Sequence, residues 1–90
     1  MSDSDKNVIS PEQCRAARAL LQWGQDDLAS AAKVAKKTIA DFEREARTPY
    51  ARTLSDVRAA LEAAGVEFIA ENGGGAGVRL AKPAKRKRGK

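Results

Sequence analysis

The chain has 90 residues, with 17 Lys and Arg against 12 Asp and Glu, a formal net charge of +5 and no His. Eighteen residues are Ala and one is Cys, so the core is thin, an internal disulfide is excluded, and neither a His-based dyad nor a structural zinc site has the residues it needs. One small non-enzymatic domain without metal or cofactor is expected, in a reducing cytoplasm and away from membranes, because no apolar run approaches the roughly 18 residues that span a bilayer.

Residues 1–9 begin polar and charged (MSDSDKN) and read as a flexible leader. Ser10-Pro11-Glu12-Gln13 is a helix start: Ser as N-cap, Pro at the first helical position, and Gln13 placed to close a capping box. Cys14, Ala17, Leu20 and Leu21 repeat at helical spacing, with Trp23 closing the stretch and Gly24 breaking it. Gln25–Ala32 is a second, short helix, with Asp26 and Asp27 complementing its dipole and Leu28 and Ala29 facing inward. A tight turn at Lys33, Val34 and Ala35 leads into a third helix from 36 to 43 or 44, burying Ile39 and Phe42. Pro49 interrupts helix around 47–50. The next start signal is Thr53-Leu54-Ser55-Asp56, followed by the stripe Leu54, Val57 and Leu61 and a stop at Gly65. Beyond Gly65 the period shortens: Val66 and Phe68 flank Glu67, and Val78 and Leu80 flank Arg79, across the Gly-rich stretch 71–77. This pattern fits a β-hairpin.

The charge is divided unevenly. Residues 82–90 (KPAKRKRGK) hold six cations and no anion, which leaves 11 cations against 12 anions in residues 1–81. Such a run reads as a disordered basic tail with sequence-independent affinity for polyanions. The expected architecture is therefore an all-α bundle of four to five helices over 10–65, a β-like extension over 66–81, and the tail.

A second and third helix joined by about three residues suggest a helix-turn-helix. The residues also resemble a known family over 10–65. The matching features are Arg18, the run Gln25-Asp26-Asp27-Leu28-Ala29, Val34, Thr38-Ile39, Phe42-Glu43-Arg44 and Arg47-Thr48-Pro49. Together they are similar to the phage Cro- and repressor-like (XRE-type) helix-turn-helix proteins. The resemblance implies a transcriptional regulator that binds double-stranded DNA, as a dimer on a two-fold site. It also implies that Lys36, Lys37, Thr38, Ala40 and Asp41 read bases, that Gln25, Arg44, Arg47 and Thr48 contact phosphates, and that Arg18 and Glu43 form a structural ion pair. The chain departs from the family pattern where Lys33 and Glu45 replace common glycines and Ala35 replaces a Ser or Thr cap.

A second reading comes from another class. A module with this recognition surface can act as an antiactivator or antitoxin-like protein, docking on a transcription activator. Trp23, Tyr50, Val66, Phe68, Val78 and Leu80 would supply the exposed apolar patch. The same strands could join those of a second copy. Glycines 73–75 and 77 lack the Gly-Lys-Ser/Thr ending of a phosphate loop, and Cys14, on the apolar face of the first helix, reads as a small buried hydrophobe.

Overall fold

A computed structural model of the chain describes residues 9–70 and 73–81. Four helices are followed by a two-stranded antiparallel sheet: α1 (Pro11–Leu21), α2 (Gln25–Ala32), α3 (Lys36–Glu43), α4 (Ala51–Ala63), β1 (Val66–Ile69) and β2 (Gly77–Leu80). Residues 1–8 of the expected leader 1–9, and the expected basic tail 82–90, lie outside the described residues.

Local chemistry accounts for most boundaries. The Ser10 hydroxyl accepts from the Gln13 amide at 3.0 Å while Gln13 Oε1 accepts from the Ser10 amide at 3.0 Å, so the capping box closes. At α2 the N-cap is Gly24, whose amide donates to Asp27 Oδ2 at 2.9 Å. Ala35 caps α3 without any side-chain hydrogen bond, as its methyl group dictates. α4 begins at Ala51 rather than at Thr53. Pro49 blocks helix only up to its predecessor, and the Tyr50 carbonyl already accepts from the Leu54 amide at 3.1 Å. The α2–α3 turn is residues 33–35.

The core joins all six elements. Cys14 and Ala17 from α1, Leu28, Ala29 and Ala32 from α2, Ile39 and Phe42 from α3, and Leu54, Val57 and Leu61 from α4 meet Val66 of β1. Ile9 joins them at 1% exposure, so the expected leader stops short of it: a branched apolar side chain next to the N-cap folds back onto the cluster.

The hairpin is part of the same body rather than an extension. β1 lies against α1 and α4, and β2 lies against α1. Val66 pairs with Leu80 and Phe68 with Val78, which puts all four on the helix-facing side, while Glu67 and Arg79 pair outward at 2.6 Å. Gln13 Nε2 donates to the Gly77 carbonyl at 3.0 Å, and the Arg58 guanidinium stands 5.1 Å from the Phe68 ring centre. A hairpin alone would be marginal, and packing on the helices resolves that.

Lys33 and Glu45 stand on left-handed backbone, both with φ of 61°. A side chain there is strained by roughly 1 kcal/mol or more relative to Gly. Lys33→Gly and Glu45→Gly are each expected to stabilise the chain by up to about 1 kcal/mol, net of glycine's backbone entropy. Thermal melting of each variant against the parent checks this.

Candidate functional site

The outer side of α3 is set by what holds its inner side. Glu43, the last residue of α3, is buried against α1 and α2. Its carboxylate accepts from Arg18 Nη2 at 2.7 Å and Arg18 Nε at 2.8 Å, a two-point pair. Gln25 Nε2 donates to Oε1 at 3.0 Å, and Cys14 Sγ donates to Oε2 at 3.0 Å. Arg18 Nη1 also reaches the Trp23 carbonyl at 3.0 Å, and Arg15 donates to the Glu43 carbonyl. One carboxylate thus joins α1, α2 and α3.

The electrostatics follow from this geometry. Burial opposes the charge on Glu43, but hydrogen bonds from Arg18, Cys14 and Gln25 outweigh it and hold the carboxyl below its ordinary value of 4.5. The hydrogen bond to Glu43 outweighs burial at Arg18 and raises its pKa. Burial first, then the bond and charge of Glu43, push the Cys14 thiol well up.

With Glu43 inside, α3 turns other side chains outward. Lys36, Lys37 and Arg44 are exposed, and Thr38 and Ala40 are half-buried. Lys36 Nζ lies 3.1 Å from Asp26 Oδ1 in an open pair that contributes little and is easily exchanged. Arg47 and Thr48 are exposed just beyond α3, and Lys33 is exposed in the turn before it. Lys37, Thr38, Asp41, Arg47 and Thr48 line one cleft of about 630 Å³ between α3 and the connector, whereas Lys36 and Ala40 lie outside it.

Three of the expected sites have definite surroundings in the structure. Asp41 is not a free base-reading carboxylate: its side chain is 12% exposed, with Oδ2 3.1 Å from Lys37 Nζ and Oδ1 3.0 Å from Arg44 Nη2. The hydrogen bond from Lys37 first, and that from Arg44, hold it below the ordinary carboxylate range. The half-buried Gln25 side chain donates one Nε2 hydrogen to Glu43, which leaves its second N–H for another acceptor. Of the residues expected to form an apolar docking patch, Val66 is buried, while Trp23, Phe68, Val78 and Leu80 are partly buried against the core. Tyr50, at 86%, is the exposed large hydrophobic residue among those described, and it forms part of the cleft wall.

Sequence reasoning missed the Cys14–Glu43 bond and Thr53, which lines the cleft from α4. Apolar spacing marks Cys14 as buried but says nothing of its partner, and Thr53 reads as a helix-start residue. Among the described residues, no group of His, Cys, Asp or Glu is arranged to hold a metal ion, and no helix is long and apolar enough to cross a membrane. No protein-family model matches the chain, and no curated protein is significantly similar to it.

Removing Arg18 would leave Glu43 buried and unpaired. Arg18→Ala is expected to cost about 3 kcal/mol, against under about 1 kcal/mol for Lys36→Ala in its open pair, measured by urea unfolding. A domain this small holds only about 3–5 kcal/mol in total, so the Arg18 variant should sit near its unfolding midpoint without denaturant. Because folding lowers the Glu43 pKa, its stabilisation is complete above the unfolded value of 4.5 and is lost as pH falls through the folded value. Thermal midpoints should therefore drop below about pH 4.5, and less steeply for Glu43→Gln. Cys14 should resist alkylation in the native chain and react only at the rate of unfolding.

Proposed function

We propose that this chain is a cytoplasmic DNA-binding transcriptional regulator of the helix-turn-helix class, with α2, the turn 33–35 and α3 as the unit and α3 as the element entering the major groove. The supporting observation is a division of α3 into two sides. One side is fastened to α1 and α2 through Glu43, and the other presents Lys36, Lys37 and Arg44 around the small Ala40. A rigid, narrow, cationic helix face suits a groove about 12 Å wide, lined by base-edge acceptors and flanked by phosphates.

On this reading Lys36, Lys37 and Thr38 contact base edges, and the Ala40 methyl group allows close approach. Arg44, Arg47 and Thr48 meet phosphates. At α2 the first-turn backbone amides and the remaining Nε2 hydrogen of Gln25 meet a phosphate. Asp26 and Asp41 subtract from the local positive charge, so the six cations of residues 82–90 add to the sequence-independent attraction of Arg44 and Arg47. One module of this size buries little surface, and two copies on a two-fold site would supply the remainder.

Fluorescence anisotropy against a duplex panel tests the division of labour. Deleting residues 82–90 should flatten the salt dependence of binding while preserving the preference among sequences. Lys36→Ala with Lys37→Ala should instead relax that preference, by about 1–3 kcal/mol at each affected base pair. If the tail deletion abolishes all binding, attraction by the tail was the whole effect and α3 reads nothing.

A further inference from the structure

Along α3 and its C-cap, the side chains of Lys37, Asp41 and Arg44 follow one another at i, i+4 and i+7, with the carboxylate between the cations. The two cations are open to solvent, at 81% and 68% exposure, whereas the carboxylate is 12% exposed. Each carboxylate oxygen accepts from one cation, so Asp41 is turned along its own helix rather than outward. The Asp41 carbonyl separately accepts from the Ala46 amide at 2.8 Å and the Arg47 amide at 3.3 Å, which closes the helix end independently of the side chain.

Long Lys and Arg side chains lose much rotamer freedom when they engage a ligand, and holding them beforehand lowers that loss. A cation with many open directions finds a phosphate on any sequence, while one held in a single direction favours the base edge in front of it. We infer that Asp41 is a positioning residue: it holds Lys37 toward the base edge in front of it and Arg44 toward its phosphate, so that discrimination between DNA sequences depends on a carboxylate that touches no base. The inference rests on the proposed DNA-binding reading and adds a specificity determinant to it.

The test begins by selecting from a random duplex library with the full chain. Binding of the selected duplex and of a scrambled duplex is then measured for the parent, Asp41→Asn and Asp41→Glu. Asp41→Asn should bind the scrambled duplex more tightly, with a salt slope steeper by about one, because a freed cation can neutralise one more phosphate. Its ratio of selected to scrambled affinity should fall roughly tenfold. Asp41→Glu, which keeps the charge and can reach both cations, should recover most of that ratio.

A second arm places Asp41→Asn in a chain already carrying Lys37→Gln and Arg44→Gln, where it should change the ratio no further. The inference is overturned if the ratio is unchanged in Asp41→Asn, if Asp41→Glu recovers nothing, or if Asp41→Asn lowers the ratio equally in the double-Gln background. If the parent enriches no sequence at all, the DNA-binding reading falls, and the inference with it. Enrichment by the parent with an unaltered ratio in the variants overturns the inference alone.

Discussion

A buried carboxylate at the end of an eight-residue helix is the constraint on which the remainder of the molecule depends. Glu43 accepts from side chains of α1 and α2 at the same time, and each of those bonds has a direction as well as a distance. Apolar contacts alone would let short helices slide and rotate with little penalty, especially where so many residues are Ala. A charge removed from water has no such tolerance: losing a partner costs about 3–5 kcal/mol, comparable to the whole stability of a domain this size. The pair therefore selects one orientation for α3 even if it adds little net stability.

That orientation decides what the opposite side of α3 can do. Asp41 and Glu43 are two residues apart on one helix, so their side chains leave the axis about 200° apart. Glu43 joins the interior, while Asp41 turns to the cleft side and is neutralised by Lys37 and Arg44. Two like carboxylates thus acquire unlike tasks from position alone. The inner one fixes the helix against the bundle, and the outer one fixes the helix's own cations. In the proposed function both serve the same end, since reading a base edge needs a helix and side chains that are already in place before contact.

How much of this was legible in the sequence depends on how local each signal is. Helix starts and stops are decided by neighbouring residues, so Ser10-Pro11, Gly24, Pro49 and Gly65 mark the elements to within about two residues. The strand alternation of Val66 and Phe68 was equally plain, and so was the loss of a cap at Ala35. Side-chain direction across elements was not. Gln25 occupies a position that suits a phosphate, but the nearest unsatisfied acceptor is the carboxylate of a residue 18 positions later. Ile9 is apolar and stands next to the Ser10 N-cap, a local hint that it packs, but the cluster that receives it is assembled from distant segments. The Lys37–Asp41–Arg44 row lies between these cases. Its spacing is local and visible, but the carboxylate's choice of its own helix over an outside ligand appears only once its burial is known.

The hairpin bears on function through what it covers. Trp23, Phe68, Val78 and Leu80, counted from sequence alone, are more large apolar surface than four Ala-rich helices would seem to need. That surplus was the basis for a docking surface toward another protein. The core explains it instead: with Ala at so many inward positions, the helices leave room that β1 and β2 fill, and the strands turn their apolar side toward α1 and α4. What faces outward from the sheet is the Glu67–Arg79 pair, which is well suited to water. The large apolar side chain still open to solvent among the described residues is Tyr50, beside the cleft of α3. On and around α3 the exposed charges are mostly cationic (Lys33, Lys36, Lys37, Arg44 and Arg47), and the proposed function takes this local excess as the surface offered to a polyanion.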